Sequence, residues 1–169
     1  MKLTGYNRPG KMQKFDVLIE VQQGSKQKYE IDHVSGRLRL DFILSGDWAW
    51  PYHYGEILNT LGGDGDALDA VVISGQGLLP GAIVPCRAVG IMKVIDKGQQ
   101  DDKIICLPDA ERELAGIKDI EDLGEEFQKK TLAFLTELAN QKQKIMKVDA
   151  FLGKEAAEKA VNSARLDKN

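Results

Sequence analysis

The sequence predicts an α+β protein in which a small closed β-barrel carries helices on its outside. Residues 15–107 form short apolar runs broken by Gly, Asp and Pro, a pattern typical of strands. After Asp119 the apolar residues instead recur at helical spacing among Glu, Gln and Lys. Strands followed by helices favour α+β over a wound parallel sheet, and many short strands with glycine-rich turns favour a closed barrel.

Apolar runs and alternation place the strands. They are predicted at Phe15–Val21, Lys28–Asp32, Arg37–Leu40, Ala70–Ile73, Ala82–Asp96 with an internal break near Gly90, and Lys103–Leu107. One amphipathic helix of about five turns is predicted from the spacing of Leu123, Phe127, Phe134, Leu135 and Leu138. A second is predicted over Glu155–Arg165, where Ala and Val form one stripe. With no linker or repeat, residues 1–169 are interpreted as a single domain in which residues 1–14 are an N-terminal tail.

Composition excludes several classes of function. The chain has 169 residues, 23 Lys plus Arg and 26 Asp plus Glu, for a formal net charge of -3. Nucleic-acid binding needs a dense positive surface, so we expect no nucleic-acid partner. No apolar stretch approaches the roughly 20 residues that span a bilayer, and the start lacks the apolar core of a signal peptide. We therefore expect a cytoplasmic protein with no membrane partner.

The few Cys and His residues narrow the metal chemistry. Cys86 and Cys106 lie inside apolar runs, which indicates reduced, buried thiols and argues against a disulfide between them. Two Cys and two His are too few for a structural zinc site. Any metal must therefore be held by oxygen, which indicates Mg²⁺ or Mn²⁺.

The most informative segment is Gly62-Gly63-Asp64-Gly65-Asp66-Ala67-Leu68-Asp69. It fails as an EF-hand loop, because Asp69 stands where Gly is required and Gly75 where a bidentate Glu is needed. A solvated Asp/Gly turn is one interpretation. The apolar run Ala70–Ile73 follows directly, however, and carboxylates clustered at the mouth of a core strand repel one another and lose hydration. A bound multivalent cation would offset both effects.

Further charged residues are placed to join this segment. Glu20 interrupts an apolar strand, and strand alternation puts Lys28 and Glu30 on one face. Asp96 ends a strand, while Asp101 and Lys103 share a face if their strand is extended. Seven acids and two lysines over four turns are typical of a site that binds several divalent cations and a phosphate-rich anion.

These residues resemble those of the family I soluble inorganic pyrophosphatases. Asp64-Gly-Asp66-Ala-Leu-Asp69 is similar to the family's Asp-Gly-Asp-Pro-x-Asp signature, and the likeness runs from about Phe15 to the C-terminus. Supporting stretches are Lys28-Tyr29-Glu30-Ile31-Asp32, Tyr54-Gly55 with Ile57, Leu79-Pro80-Gly81, Cys86-Arg87-Ala88-Val89-Gly90 and Ile117-Lys118-Asp119. The resemblance implies a five-stranded OB-type closed β-barrel with two main C-terminal helices outside it. It also implies Mg²⁺-dependent hydrolysis of pyrophosphate and, for bacterial members, a homohexamer.

The resemblance also implies roles for ten residues. Metal ligands would be Asp64, Asp69, Asp96 and Asp101, and the general base that takes a proton from a metal-activated water would be Asp66. Supporting acids that orient metal-bound waters would be Glu20 and Glu30. Contacts to phosphate, or charge neutralisation of the acidic cluster, would come from Lys28, Tyr54 and Lys103.

Three positions depart from the family pattern. Phe42 stands where the family has Arg, and Leu138 and Ala139 align with a Tyr-Lys pair. In the family these residues hold the phosphate that leaves. Unless Arg37, Arg39, Lys142 or Lys144 replaces them, the loss of a charged contact to phosphate predicts a rate lower by about two orders of magnitude or more.

Beside Phe42 runs an aromatic segment, Trp48-Ala49-Trp50-Pro51-Tyr52-His53-Tyr54, whose alternate aromatics share one face if it is extended. Packing in the core or at a subunit interface is one interpretation. Stacking on an organic leaving group is another. Three functions therefore stay open: a pyrophosphatase of reduced activity, a metal-dependent hydrolase of an organic phosphoanhydride, and a non-enzymatic paralogue.

Overall fold

The computed structural model describes residues 13–166. The strands are β1 Lys14–Val21, β2 Gln27–Asp32, β3 Arg37–Ile43, β4 His53–Ile57, β5 Asp69–Val72, β6 Ile83–Asp96, β7 Gln99–Gln100, β8 Lys103–Pro108 and β9 Met146–Gly153. The helices are α1 Gly124–Gln141 and α2 Lys154–Ala164, and 3₁₀ turns cover Arg112–Leu114 and Ile120–Leu123. Within these residues, no helix is long and apolar enough to cross a membrane.

Five strands close into a barrel in the order β1-β4-β5-β8-β6, and β6 pairs back with β1. Four of the five pairings are antiparallel, and the β5–β8 pairing is parallel, with Ala70 opposite Ile104. The predicted closed barrel is therefore confirmed. Its strands bury most of their side chains because every strand is paired on both edges and its inward face meets the others.

The barrel interior is apolar and close to fully buried. Val17 and Ile19 of β1, Val72 of β5 and Ile104 of β8 expose none of their surface. The two thiols lie here as well, both free and buried, on the adjacent strands β6 and β8. Burial and the neighbouring Cys86 thiol raise the pKa of Cys106, so both side chains behave as small core residues.

The remaining elements cover the outside of the barrel. Strand β6 extends beyond it and pairs with β9 and with the short β7. Helix α2 packs on β6 through Ala157 and Val161. Helix α1 buries Phe134 and Leu135 in a second group of apolar side chains, which also contains Trp50. The hairpin β2–β3 forms a separate two-stranded sheet. These external helices agree with the prediction.

The predicted elements are found with small changes in their bounds. Strand β3 continues to Ile43, and β5 runs over Asp69–Val72 instead of Ala70–Ile73. The break expected near Gly90 appears as a register shift in the β6–β8 pairing between Ala88 and Gly90. Strand β1 begins at Lys14, the last residue of the predicted tail, and the rest of that tail up to residue 12 lies outside the described residues.

Three strands, β4, β7 and β9, were absent from the sequence prediction. Strand β4 is short and has Gly55 at its centre, where a side chain is impossible: an added Cβ would lie 2.0 Å from the carbonyl oxygen of Leu18 on β1. Glycine weakens a strand pattern, yet here the close approach of the two backbones requires it. The pairing of β4 with β1 therefore depends on the tertiary fold.

Candidate active site

One cavity of about 360 Å³ opens at the barrel mouth, between the hairpin β2–β3 and the end of α1. All ten residues that the sequence singled out line it: Glu20, Lys28, Glu30, Tyr54, Asp64, Asp66, Asp69, Asp96, Asp101 and Lys103. They come from β1, β2, β4, β5, β6, β8 and two connecting loops, so they are far apart in the sequence. The folded barrel brings them together.

The loop between β4 and β5 carries Asp64 and Asp66, and Asp69 follows it directly. A carboxylate oxygen of Asp64 accepts a hydrogen bond from the Asp66 backbone N–H at 3.0 Å, and the Gly62 N–H donates to the Asp66 carbonyl at 2.7 Å. Between the two aspartates, Gly65 adopts a φ of 88°, a conformation that favours glycine. The turn thus holds Asp64 and Asp66 at the cavity, and Asp69 is fixed as the first residue of β5.

Lys103 lies between two of the acids. Its Nζ atom is 2.6 Å from Asp69 Oδ2 and 2.7 Å from Asp101 Oδ2, and its side chain is 6% exposed. Burial opposes the charge of this ammonium, but the two carboxylates outweigh burial and raise the pKa of Lys103. Conversely, burial together with the neighbouring Asp69 and Asp64 raises the pKa of Asp101 against the opposing effect of Lys103. Asp101 lies outside β8, which begins at Lys103, yet the two side chains meet as an ion pair.

Glu20 is a buried acid in β1. Burial raises its pKa to about 7, although the Ile31 backbone N–H donates a hydrogen bond to Glu20 Oε2 at 2.7 Å and favours the ionised form. The nearby acids Glu56 and Asp69 also contribute to this raised pKa. Burial likewise raises the pKa of the Tyr54 hydroxyl well above its ordinary value, and Asp69 adds to that shift. The acidic side of the cavity therefore holds more negative charge than its lysines neutralise.

Asp96 shows that a carboxylate oxygen is available for a further ligand. Its Oδ2 pairs with Lys144 Nζ at 2.6 Å, while its Oδ1 is buried and has no hydrogen-bond partner in residues 13–166. An unpartnered buried carboxylate oxygen is costly, and a cation or a water would satisfy it.

The donor set suits a hard divalent cation, since it consists of carboxylate oxygens. Among the described residues, however, no three acidic, His or Cys side chains are already arranged to hold an ion. The reason lies in the lysines: Lys103 separates Asp69 from Asp101, and Lys144 pairs with Asp96. The acids fit a metal by composition and location, and these ion pairs would have to rearrange when it binds.

Two lining acid–base residues escaped the sequence prediction. Glu56 is buried in β4, and its carboxylate lies 3.3 Å from His33 Nε2. An acid inside an apolar strand was the signal that identified Glu20, and Gly55-Glu56-Ile57 carries the same signal. It was missed because β4 itself was not predicted.

Of the three departures from the family pattern, Leu138 lines the cavity, whereas Phe42 and Ala139 do not. Leu138 and Ala139 are buried in α1, where they pack as core residues. Arg39 bonds to Asp32 at 2.8 Å, and neither it nor Arg37 lines the cavity. Lys142 and Lys144 do line it. Of the four suggested replacements, the structure therefore brings these two lysines to the site.

The aromatic segment packs mainly against α1. The ring of Trp50 lies 5.1 Å from that of Tyr54 and 4.8 Å from that of Phe134, and Tyr52 lies 5.2 Å from Phe127. Trp50 and Tyr54 contact each other, whereas Tyr52 packs on Phe127, and Trp48 is 38% exposed and lies outside these ring contacts. Core packing accounts for the rings of Trp50, Tyr52 and Tyr54.

Comparison with known proteins supports the family resemblance drawn from the sequence. The family model described as inorganic pyrophosphatase matches residues 17–168. An inorganic pyrophosphatase of Streptomyces coelicolor is 44% identical over 111 residues, which cover 66% of this chain and 68% of the relative. Soluble inorganic pyrophosphatase 1 of Arabidopsis thaliana is 35% identical over 153 residues, or 90% of this chain and 72% of the relative.

Solved structures agree with the sequence relatives. The inorganic pyrophosphatase of Helicobacter pylori superposes with a TM-score of 0.84 at 34% identity, covering 93% of this chain and 96% of that one. The enzyme of Thermus thermophilus superposes with a TM-score of 0.85 at 34% identity, covering 95% and 92%. By sequence, by fold and by the residues gathered at its cavity, this chain belongs to the inorganic pyrophosphatase family.

Proposed function

We propose that the protein hydrolyses inorganic pyrophosphate to two phosphates at the cavity in the barrel mouth. One observation carries the proposal: ten residues selected from the sequence, spread from Glu20 to Lys103, line a single cavity. The names of the relatives support the reaction, because the protein of Streptomyces coelicolor and the neighbour from Thermus thermophilus are inorganic pyrophosphatases. Residues 1–169 would act as one domain.

Family membership implies a divalent metal cofactor. We assign its ligands to Asp64, Asp69, Asp96 and Asp101, which are supported by their place in the cavity and by the unpartnered Asp96 Oδ1. Bound divalent cations lower the pKa of water and offset the charge of the phosphates. Glu20 and Glu30 line the same cavity and would orient waters around those ligands.

Asp66 is the proposed general base. Its carboxylate faces the cavity and accepts no hydrogen bond from the protein within residues 13–166, so it is free to receive a proton. As the attacking water bonds to one phosphorus atom, its proton passes to Asp66 and the bond from that phosphorus to the bridging oxygen breaks. Lys28, Tyr54 and Lys103 would contact phosphate oxygens or balance the acidic cluster.

The test is the release of inorganic phosphate from pyrophosphate in the presence of Mg²⁺. Wild-type protein is expected to release phosphate at a rate that an Asp66→Asn variant, purified in parallel, does not reach. A wild-type rate no higher than that of this variant would overturn the proposal. Nucleotides and sugar nucleotides assayed beside pyrophosphate would detect hydrolysis of an organic phosphoanhydride.

We further propose that Mg²⁺ is the preferred cofactor, with Mn²⁺ as the alternative, since carboxylate oxygens and phosphates suit both ions. Activity titrated with each metal after removal of bound ions would discriminate them. A homohexamer and a cytoplasmic location are also proposed. Family resemblance supports the hexamer, and two free, buried cysteines suit a reducing compartment. Sedimentation equilibrium and cell fractionation test these two proposals.

A further inference from the structure

Three lysines from separate segments meet at the end of the cavity where the family pattern is lost. Lys28 belongs to β2, Lys142 directly follows α1, and Lys144 precedes β9; all three line the cavity. Lys28 and Lys142 share one partner, Asp41 Oδ2, at 3.1 and 3.4 Å. Lys28 also pairs with Glu30, and Lys144 pairs with Asp96 at 2.6 Å, so Lys142 has the weakest carboxylate contact of the three.

Lys142 is held in place by its surroundings. Its Nζ atom lies 5.4 Å from the centre of the Phe42 ring, a cation–π contact. The end of α1 is tied to the chain after β3 because the Gln141 side chain accepts a hydrogen bond from the Ser45 N–H at 2.8 Å and donates to the Ser45 carbonyl at 3.2 Å. The turn after α1 therefore stays next to Phe42.

The backbone then brings the next lysine back to the same cavity. The Lys142 N–H donates to the Leu138 carbonyl at 2.9 Å, which continues the helical hydrogen bonds by one residue. Gln143 has a φ of 52°, in the left-handed region that non-glycine residues rarely adopt. After this reversal, Lys144 lines the same cavity as Lys142.

Lys142 lacks full compensation of its charge. Its side chain makes one hydrogen bond within residues 13–166, the long contact to Asp41, which leaves N–H donors for a ligand. Burial lowers the pKa of Lys142, and the ammonium groups of Lys28 and Lys144 lower it further against the opposing effect of Asp41. An anion with several oxygens bound among these lysines would relieve that repulsion.

We propose that Lys142, oriented by the ring of Phe42, binds the leaving phosphate together with Lys28 and Lys144. This inference rests on the proposed function. Lysines would then supply the positive charge that the family has at the positions of Phe42 and Ala139, with Lys142 coming from the turn after α1. Phe42 would act as a positioning residue for Lys142. The reduced activity expected from the missing family residues would then be partly or wholly restored.

The test compares Lys142→Met, which removes the charge and keeps an unbranched side chain, with Lys129→Met on the exposed face of α1. Two readouts are used: the kinetics of pyrophosphate hydrolysis, and calorimetric binding of inorganic phosphate in the presence of Mg²⁺. Lys142→Met is expected to lower kcat/KM and to weaken phosphate binding, each by about 10- to 100-fold. Lys129→Met should leave both unchanged.

Two further variants, Phe42→Leu and Lys142→Arg, test the cation–π contact and the need for a positive charge at position 142. Phe42→Leu is expected to weaken phosphate binding by about 3- to 10-fold, the range of a cation–π contact. Lys142→Arg should retain most of the binding. Lys142→Gln serves as a second uncharged variant if the Met variant fails to fold.

The outcomes separate this inference from the proposed function. Phosphate binding that is equal in wild type and Lys142→Met, or absent from wild type, overturns the inference whether or not pyrophosphate is hydrolysed. Absence of hydrolysis in wild type together with phosphate binding that depends on Lys142 would instead overturn the proposed function and support the anion site.

Discussion

Lys103 Nζ lies 2.6 Å from Asp69 Oδ2, so that a buried ammonium group occupies the space between two acids proposed as metal ligands. Replacing Lys103 with Met would leave Asp69 and Asp101 facing each other without a counter-charge. Loss of one partner from a buried ion pair typically costs about 3 to 5 kcal/mol. We expect that loss in the free energy of unfolding of the metal-free protein, and a smaller loss in saturating Mg²⁺, where the cation offsets the repulsion.

Urea unfolding in chelator and in Mg²⁺ measures both values. Lys93→Met is the matched control, because Lys93 pairs with Asp102 at 2.6 Å but its side chain is 33% exposed. Lys93→Met should lower the free energy of unfolding by about 1 kcal/mol or less, with and without metal. An equal destabilisation of Lys103→Met with and without metal would contradict the assignment of Asp69 and Asp101 as ligands.

Asp66→Asn should affect the reaction without affecting the fold. The carboxamide has the shape of the carboxylate but cannot accept the proton, so kcat for pyrophosphate should fall by about 10²- to 10⁴-fold. The free energy of unfolding should change by less than about 0.5 kcal/mol, since the Asp66 carboxylate has no protein partner in the described residues. Asp47→Asn, at an exposed position, should retain wild-type activity. Substantial activity of Asp66→Asn would mean that another group accepts the proton.

Glu20 predicts a pH dependence of stability. Its pKa in the folded protein, about 7, lies above its ordinary value of 4.5, so folding favours the protonated form. The contribution of Glu20 to stability is therefore fully present below about pH 4.5 and is lost as the pH rises through about 7, when Glu20 ionises inside the protein. Glu20→Gln keeps an acceptor for the Ile31 N–H and removes that charge. It should stabilise the metal-free protein at pH 8 by about 2 to 3 kcal/mol and have little effect at pH 4.5.

Denaturant unfolding in chelator at the two pH values checks this expectation. The control is Glu126→Gln on the exposed side of α1, which should shift the free energy of unfolding by less than about 0.5 kcal/mol at either pH. A Glu20→Gln effect of the same size at both pH values would show that burial of the charge is not its cause.

Gly55→Ala should prevent correct pairing of β1 and β4. A methyl group at this position would lie 2.0 Å from the Leu18 carbonyl oxygen, and a backbone atom cannot move aside as the end of a flexible side chain can. We expect destabilisation of about 3 kcal/mol or more. Gly116→Ala, where no atom lies within 4 Å of the added carbon, should be close to neutral. Circular dichroism during thermal unfolding, with the yield of folded protein, compares the two.

Much of the site could be predicted because its signals are local. Three aspartates next to an apolar strand, and Glu20 within another, are unusual whatever surrounds them. The Asp64–Asp69 signature then identified the family from a few neighbouring residues. Glu56 carried a signal of the same kind, but it lies in β4, which was not predicted because the central glycine weakens the strand pattern.

The sequence by itself determined the barrel class, both helices and the acids that line the cavity, because side-chain periodicity and charge are properties of neighbouring residues. Only the tertiary structure decided the pairings of β4 and β9, the place of Lys103 between two acids, and the return of Lys142 to Phe42. These relationships join residues far apart in the chain: Lys142 lies 101 positions from Asp41, which it contacts. No local pattern encodes such a contact, since it arises from how the hairpin and the end of α1 pack at the barrel mouth.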